Sequence, residues 1–201
     1  MRVLRAAVAM LVIMSGITGL AYPLAVTAAA QYLFPWQANG SIVNNPQNRP
    51  TGSKLIGQYF SGARYFWPRP SATAPVPYCP YNAADGGCGT GSNLGPYSPG
   101  FLAAIKRRII RLRSADPQST TPIPASLIMA SGSGLDPDIS PSAARYQINR
   151  VARARRMPVA RLRRLVKRFT RGRTLGILGA PRVNVLELNL ALNRLARKRK
   201  H

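Results

Sequence analysis

Ala6 to Ala30 reads AAVAMLVIMSGITGLAYPLAVTAAA, a run with no Lys, Arg, His, Asp or Glu, preceded by Arg2 and Arg5. About 20 helical residues at 1.5 Å of rise cross the roughly 30 Å hydrocarbon core of a bilayer. The run therefore predicts a transmembrane helix over residues 6–30. Ala28-Ala29-Ala30 before Gln31 resembles a signal cleavage site, but the apolar stretch is about twice the usual 7–15 residues of a signal peptide, which favours a retained anchor. Tyr22-Pro23 should kink or loosen its outer end, because proline removes the N–H of an i to i−4 bond. Ser15 and Gly19, and Ala21 and Ala25, repeat at i, i+4; small residues so spaced let a partner helix approach closely.

The nearest cations set the topology. Arg2 and Arg5 precede the span, whereas the next cation after it is Arg49, and only charges within about 15–20 residues of a span count in the positive-inside bias. Residues 1–5 are thus expected in the cytoplasm and the domain outside. That domain carries 27 of the 29 Lys and Arg residues and all 5 acids; long domains translocate largely regardless of their charge. Residues 31–51 read as an interfacial segment and linker, since Tyr32, Phe34 and Trp36 fall where the span leaves the lipid, the depth aromatic rings favour.

Residues 52–201 are expected to form one α+β domain of helices and short strands, for 46% hydrophobic residues and a mean hydropathy of −0.08 argue for a folded core. Gly52–Phe60, Arg64–Trp67, Ser126–Ala130 and Thr174–Leu178 read as strands or extended runs bounded by Gly and Pro. Helical spacing over an N-cap Ser and a proline predicts helices at about Pro99–Ser114 and Pro141–Arg156. Pro158–Thr170 reads as a further helix closed by Gly172. Asn184-x-x-Glu187 resembles a capping box opening the last helix, with Leu186, Leu190, Leu192 and Leu195 on its apolar face.

The chemistry-bearing residues are sparse. The single histidine, His201, excludes the usual Cys and His zinc arrangements and leaves no histidine for a triad. A hydrolase would have to use Ser131 or Ser133 with Asp136, and no base is placed to activate either. Asp136 and Asp138 read as a turn rather than a metal site. Twelve Arg and Lys residues and no acid lie between Arg145 and Arg173; they occupy positions left free by the apolar stripe, with no aromatic placed for base stacking, so nucleic acid is not an expected partner. Cys79 and Cys88 would close a short loop as a disulfide outside the cytoplasm. The scarcity of carboxylates would suit an acidic exterior, where few native carboxylates need protonating as pH falls.

An ordered set of motifs then resembles one family. FPWQANG (34–40), GSKLIGQ (52–58), Tyr65-Phe66 to Arg69-Pro70-Ser71-Ala72, GSNLGP (91–96), ASGSGLD (130–136), Gln147 to Arg150-Val151-Ala152 and RVNVLELNLAL (182–192) look like the C subunit of the Kdp-type potassium-transporting P-type ATPase. Residues 73–91 form a loop insertion whose part Cys79–Thr90 departs from the family pattern. The resemblance implies a bacterial inner-membrane complex with a channel-like, potassium-binding A subunit and an ATP-hydrolysing B subunit as partners. This chain would be its non-catalytic accessory component, with no tightly bound cofactor. Gln147 matches the family glutamine suggested to contact ATP and so to raise the ATP affinity of the B subunit. The expected topology opposes that contact, because ATP is cytoplasmic, and favours assembly of the complex.

Overall fold

A computed structural model describes residues 1–45, 47–79 and 91–197. By contacts the chain divides into two compact units, Met1–Ile42 and Val43–His201.

The first unit is one long helix and a short one. α1 (Arg2–Gly16) passes through a π-helical turn (Ile17–Ala21) into α2 (Tyr22–Leu33), 32 residues of apolar helix with no buried face. Its length exceeds what a bilayer core requires. The π turn closes with Tyr22 N–H donating to the Ile17 carbonyl and lies just ahead of Pro23, whose ring would crowd the carbonyl of an α turn. α3 (Pro35–Ala38) follows, and Trp36 Nε1–H donates to the Ile42 carbonyl at 2.9 Å.

After α3 come β1 (Ile42–Asn44) and β2 (Pro50–Ser53), which pair as a two-stranded ribbon. α4 (Pro99–Ala115) starts at Ser98, whose side chain accepts from the Phe101 N–H. β3 (Asp138–Ile139) leads to α5 (Pro141–Arg155), capped by Ser140 in the same way, then α6 (Val159–Phe169), β4 (Thr170–Arg171), β5 (Arg182–Asn184) and α7 (Val185–Arg197). The small sheet runs β3-β5-β4, antiparallel throughout, with Ile139 opposite Val183 and Thr170 opposite Val183. α5, α6 and α7 pack on it around Ile148, Val151, Leu162, Val166, Leu188 and Leu192, all buried. This is the α+β architecture expected from the sequence.

Several local expectations are corrected. Ser126–Ala130 is no strand: Ala125–Leu127 is a 3-10 turn following Pro124, and the Leu127, Ile128 and Met129 N–H groups are spent on the local carbonyls of Pro124 and Ala125. Arg64–Trp67 is no strand: Arg64 lies in a turn closed by the Tyr65 N–H on the Gly62 carbonyl at 3.1 Å, and the backbone of Phe66 and Trp67 pairs with side chains. Gly172 does not close α6, which passes directly into β4. Thr174–Leu178 is a tight hairpin with a single bridge. On α7, Leu188 is fully buried where Leu190 was expected, and Leu190 is only half-buried. The Asn184 cap is present, its Oδ1 accepting from the Glu187 N–H at 3.0 Å.

Gly57 sits at a close backbone crossing. Its N–H donates to the Leu135 carbonyl at 2.7 Å, and a Cβ placed there would strike the Tyr78 ring and lie 2.6 Å from the Asp136 carbonyl oxygen. Backbone cannot swing aside as a side chain can, so Gly57→Ala should destabilise the domain by about 1–3 kcal/mol, the range for overpacking. Denaturant unfolding of the full chain in detergent measures it; an unchanged midpoint would contradict this packing.

Candidate functional site

The densest set of buried polar contacts surrounds residues 63–67. This segment runs between α5 and α7, and among the described residues no strand pairs with it. It passes from exposed Ala63 and Arg64 to fully buried Phe66, and backbone groups that lose their water there must find partners. Asn189 supplies one pair: Oδ1 accepts from the Phe66 N–H and Nδ2 donates to the Phe66 carbonyl, both at 2.9 Å. Gln147 supplies the next, its Oε1 accepting from the Trp67 N–H at 2.7 Å and its Nε2 donating to the Trp67 carbonyl at 3.1 Å. Two helix side chains thus do what a neighbouring strand would do.

Gln147 is 1% exposed and saturated. Its second acceptor position takes Arg150 Nη2–H at 2.6 Å, and its second donor reaches the Ala143 carbonyl at 3.3 Å; a glutamine amide offers two donors and two acceptor positions. A nucleotide could bond to it only by opening these contacts. Losing the amide would leave the Trp67 N–H and C=O unpaired, at about 1–3 kcal/mol each.

Arg150 extends the clamp, donating to the Ala63 carbonyl at 2.8 Å and the Tyr65 carbonyl at 3.0 Å while its guanidinium lies 4.1 Å from the Trp67 ring centroid. Arg111 lies over the same ring at 4.7 Å. Burial, reinforced by Arg111, lowers the Arg150 pKa to about 10 against the upward pull of Asp116, which leaves the guanidinium charged at neutral pH. Arg155 continues the series, Nε–H donating to the Arg64 carbonyl and Nη2–H to Asn193 Oδ1 at 2.9 Å.

Beside Trp67 lies a cavity of about 160 Å³ walled by Tyr59, Phe60, Tyr78 and Leu127 and edged by Arg69, Arg108 and Arg111. All three arginines are engaged: Arg108 donates to the Ile128 carbonyl at 2.7 Å, Arg69 to Asp136 Oδ2 at 2.8 Å and Arg111 to the Tyr59 hydroxyl at 3.3 Å. Tyr78 O–H donates to the Arg69 carbonyl, and burial holds the phenol protonated well above its ordinary range.

The remaining sequence candidates fall as follows. Asp136 Oδ1 accepts from the Asp138 N–H at 2.9 Å, a turn, and Arg182 pairs with Asp138 at 3.3 Å. Ser133 Oγ accepts from the Leu135 N–H, and Ser131 Oγ is buried without a partner. Among the described residues no three metal-ligating side chains gather. Cys79 is buried and disulfide-bonded, while Cys88 lies outside the described residues. Ser15 sits in α1, Gly19 and Ala21 in the π turn and Ala25 in α2, all on exposed helix surface. Asn189, Arg155 and the receiving backbone at Trp67 were not singled out by sequence, although a lone Asn between Leu188 and Leu190 on an apolar helix is a readable sign of a buried polar contact.

Among the described residues one helix is long and apolar enough to cross a membrane, and the buried polar groups of the domain serve internal bracing. A family model described as "K+-transporting ATPase, c chain" matches residues 4–194, and the chain belongs to that family. It is 54% identical to the potassium-transporting ATPase KdpC subunit of Sorangium cellulosum and 54% to that of Methylococcus capsulatus, covering 94% of this chain and 96% of each relative. The KdpC subunit of Herpetosiphon aurantiacus is 51% identical over 95% of both chains.

Asp138 provides a test by pH. Burial and neighbouring Asp136 raise its pKa above 3.8, outweighing Arg182, Arg171 and Asn184. The folded state then holds a proton that the unfolded state has lost, so this group's contribution falls as pH rises through that interval. Asp138→Asn should gain stability relative to the parent as pH rises above the unfolded-state carboxylate value of about 4. Unfolding midpoints across that rise measure it; a pH-independent difference would refute the assignment.

Proposed function

We propose that this chain is a non-catalytic subunit that assembles and stabilises an ATP-driven potassium importer in a bacterial inner membrane. It joins the channel-like A subunit to the ATP-hydrolysing B subunit. Its N-terminus is cytoplasmic, and its domain stands outside, over the outer entrance of the A subunit. Ser15, Gly19, Ala21 and Ala25 form the surface a partner span packs against. Membership of the family supports the complex, and the Arg2 and Arg5 flank supports the sidedness.

The observation that carries the non-nucleotide role is the closed amide of Gln147, with all four of its hydrogen-bonding positions used inside the domain. Gln147 is a brace in this reading, and the chain acts by holding shape. In complex purified through a tagged B subunit, Gln147→Leu should lower recovery several-fold while the recovered complex keeps the parental KM for ATP. Full recovery with a raised KM would assign Gln147 to nucleotide.

Sidedness is tested separately at Tyr97, which is 91% exposed. Tyr97→Cys should react with a membrane-impermeant maleimide in cells whose inner membrane is intact. Reaction only after the membrane is opened would place the domain in the cytoplasm and overturn the orientation.

A further inference from the structure

The segment joining β4 to β5 is exposed along its whole length. Its tip carries Leu175, Ile177 and Leu178 at 84, 73 and 57% exposure. Yet this is a built hairpin: Thr174 and Leu178 exchange N–H to C=O bonds of 2.9 Å, and the Gly176 and Ile177 N–H groups donate back to the Arg173 and Thr174 carbonyls. Leu175 sits at φ +54°, a left-handed conformation uncommon for any residue but glycine and asparagine. The fold holds a strained leucine with its side chain in water, so the apolar tip is presented to something.

The chain leading into this hairpin is strongly basic. A groove of about 850 Å³ between α5, α6 and the Thr121–Pro124 segment is lined by Arg145, Tyr146, Arg163, Lys167 and Thr170, with no carboxylate among its walls. Arg145, Arg163 and Lys167 enter no ion pair among the described residues, and Arg164 and Arg168 are exposed on the same helix. The described carboxylates are already taken: Asp116 by Arg153, Asp136 by Arg69, Asp138 by Arg182 and Glu187 by Arg171 and Lys54. Thr170, at the end of the groove, opens β4 and hence the hairpin, so basic groove and apolar tip are consecutive parts of one stretch.

We propose that the Thr174–Leu178 hairpin and the α5–α6 groove dock the domain on anionic phospholipid headgroups of the bilayer that holds the chain's own span. The cations meet headgroup phosphates and the three apolar side chains enter the boundary between headgroups and acyl chains, the pairing of charge and apolar surface that peripheral membrane binding uses. A protein pocket for the tip would have no need of the cations. The span makes docking intramolecular, so weak contacts suffice. The inference rests on α1–α2 being the anchor and holds whichever side the domain faces.

The test uses the full chain carrying Ile177→Cys, whose new thiol is labelled with a nitroxide while Cys79 stays in its disulfide. The chain is reconstituted in vesicles of phosphatidylcholine alone or mixed with phosphatidylglycerol. In the anionic vesicles the ratio of collisions with oxygen to those with a water-soluble nickel chelate should rise several-fold. It should return to the phosphatidylcholine value in high salt, which screens exposed charges, and in the Arg163→Glu, Lys167→Glu double variant. These are exposed side chains, so an unchanged unfolding midpoint checks that the variant is folded. An equal ratio in both lipids overturns the proposal. A rise seen only when the other ATPase subunits are added also overturns it and makes the hairpin a protein-docking surface.

Discussion

The backbone at Phe66 and Trp67 is buried, and it has no strand to pair with. A peptide group in that position loses its water and costs stability unless both its N–H and its C=O are matched. Asn189 on α7 and Gln147 on α5 supply primary amides instead, each returning one donor and one acceptor to the backbone of a single residue. Because these amides lie on different helices, the segment fixes the separation of α5 and α7. Arg150 and Arg155 are then held against the carbonyls that the segment leaves over. The apolar core packs around this brace.

Charge follows a related division of labour. With so few acids, every described carboxylate is placed where it ties two parts of the chain together, as Arg69–Asp136 does across 67 residues. Such pairs weaken once acid protonates the carboxylate, so the low acid count limits how many ties can be lost but does not make each one expendable. Asp138 is the exception, since burial beside Asp136 opposes its charge. Buried Arg150 and half-buried Arg108 and Arg155 satisfy backbone carbonyls instead of carboxylates. An arginine can do this because its five N–H donors serve carbonyls as well as carboxylates. The cation excess is therefore partly structural and partly the unpaired outer face of α6.

The helices were legible because their signals are local: Ser98-Pro99 and Ser140-Pro141 cap as their sequences require, and apolar spacing marks the buried faces of α5 and α6. The short strands were less so, because a strand is defined by what lies beside it. Arg64–Trp67 has the composition of a strand, but its partners are side chains 80 and 123 residues away. Thr174–Leu178 has the apolar composition of a buried strand and stands in solvent. Gln147 came into view only through family resemblance, which gave its position but not its environment. The number of hydrogen bonds its amide makes depends on how α5 meets the 63–67 segment, and nothing within a few residues of Gln147 encodes that.

The span shows the same limit in a different form. Ser15, Gly19, Ala21 and Ala25 were placed by counting at α-helical pitch, yet the π turn at Ile17–Ala21 lies in the middle of them. A π turn accommodates about one extra residue, so the halves on either side are turned by roughly 100° from an unbroken helix. Pro23 gives the cause: with no N–H to donate, it leaves a carbonyl one turn back unpaired, and the wider turn passes bonding to the Ile17 carbonyl through Tyr22 instead. Thr18 Oγ1–H adds a bond to the Met14 carbonyl at 2.7 Å, satisfying backbone in a setting where lipid offers no substitute. A partner span meeting this helix would therefore find Ser15 and Ala25 on either side of the π turn that itself carries Gly19 and Ala21, rather than four small residues on one regular α-helical seam.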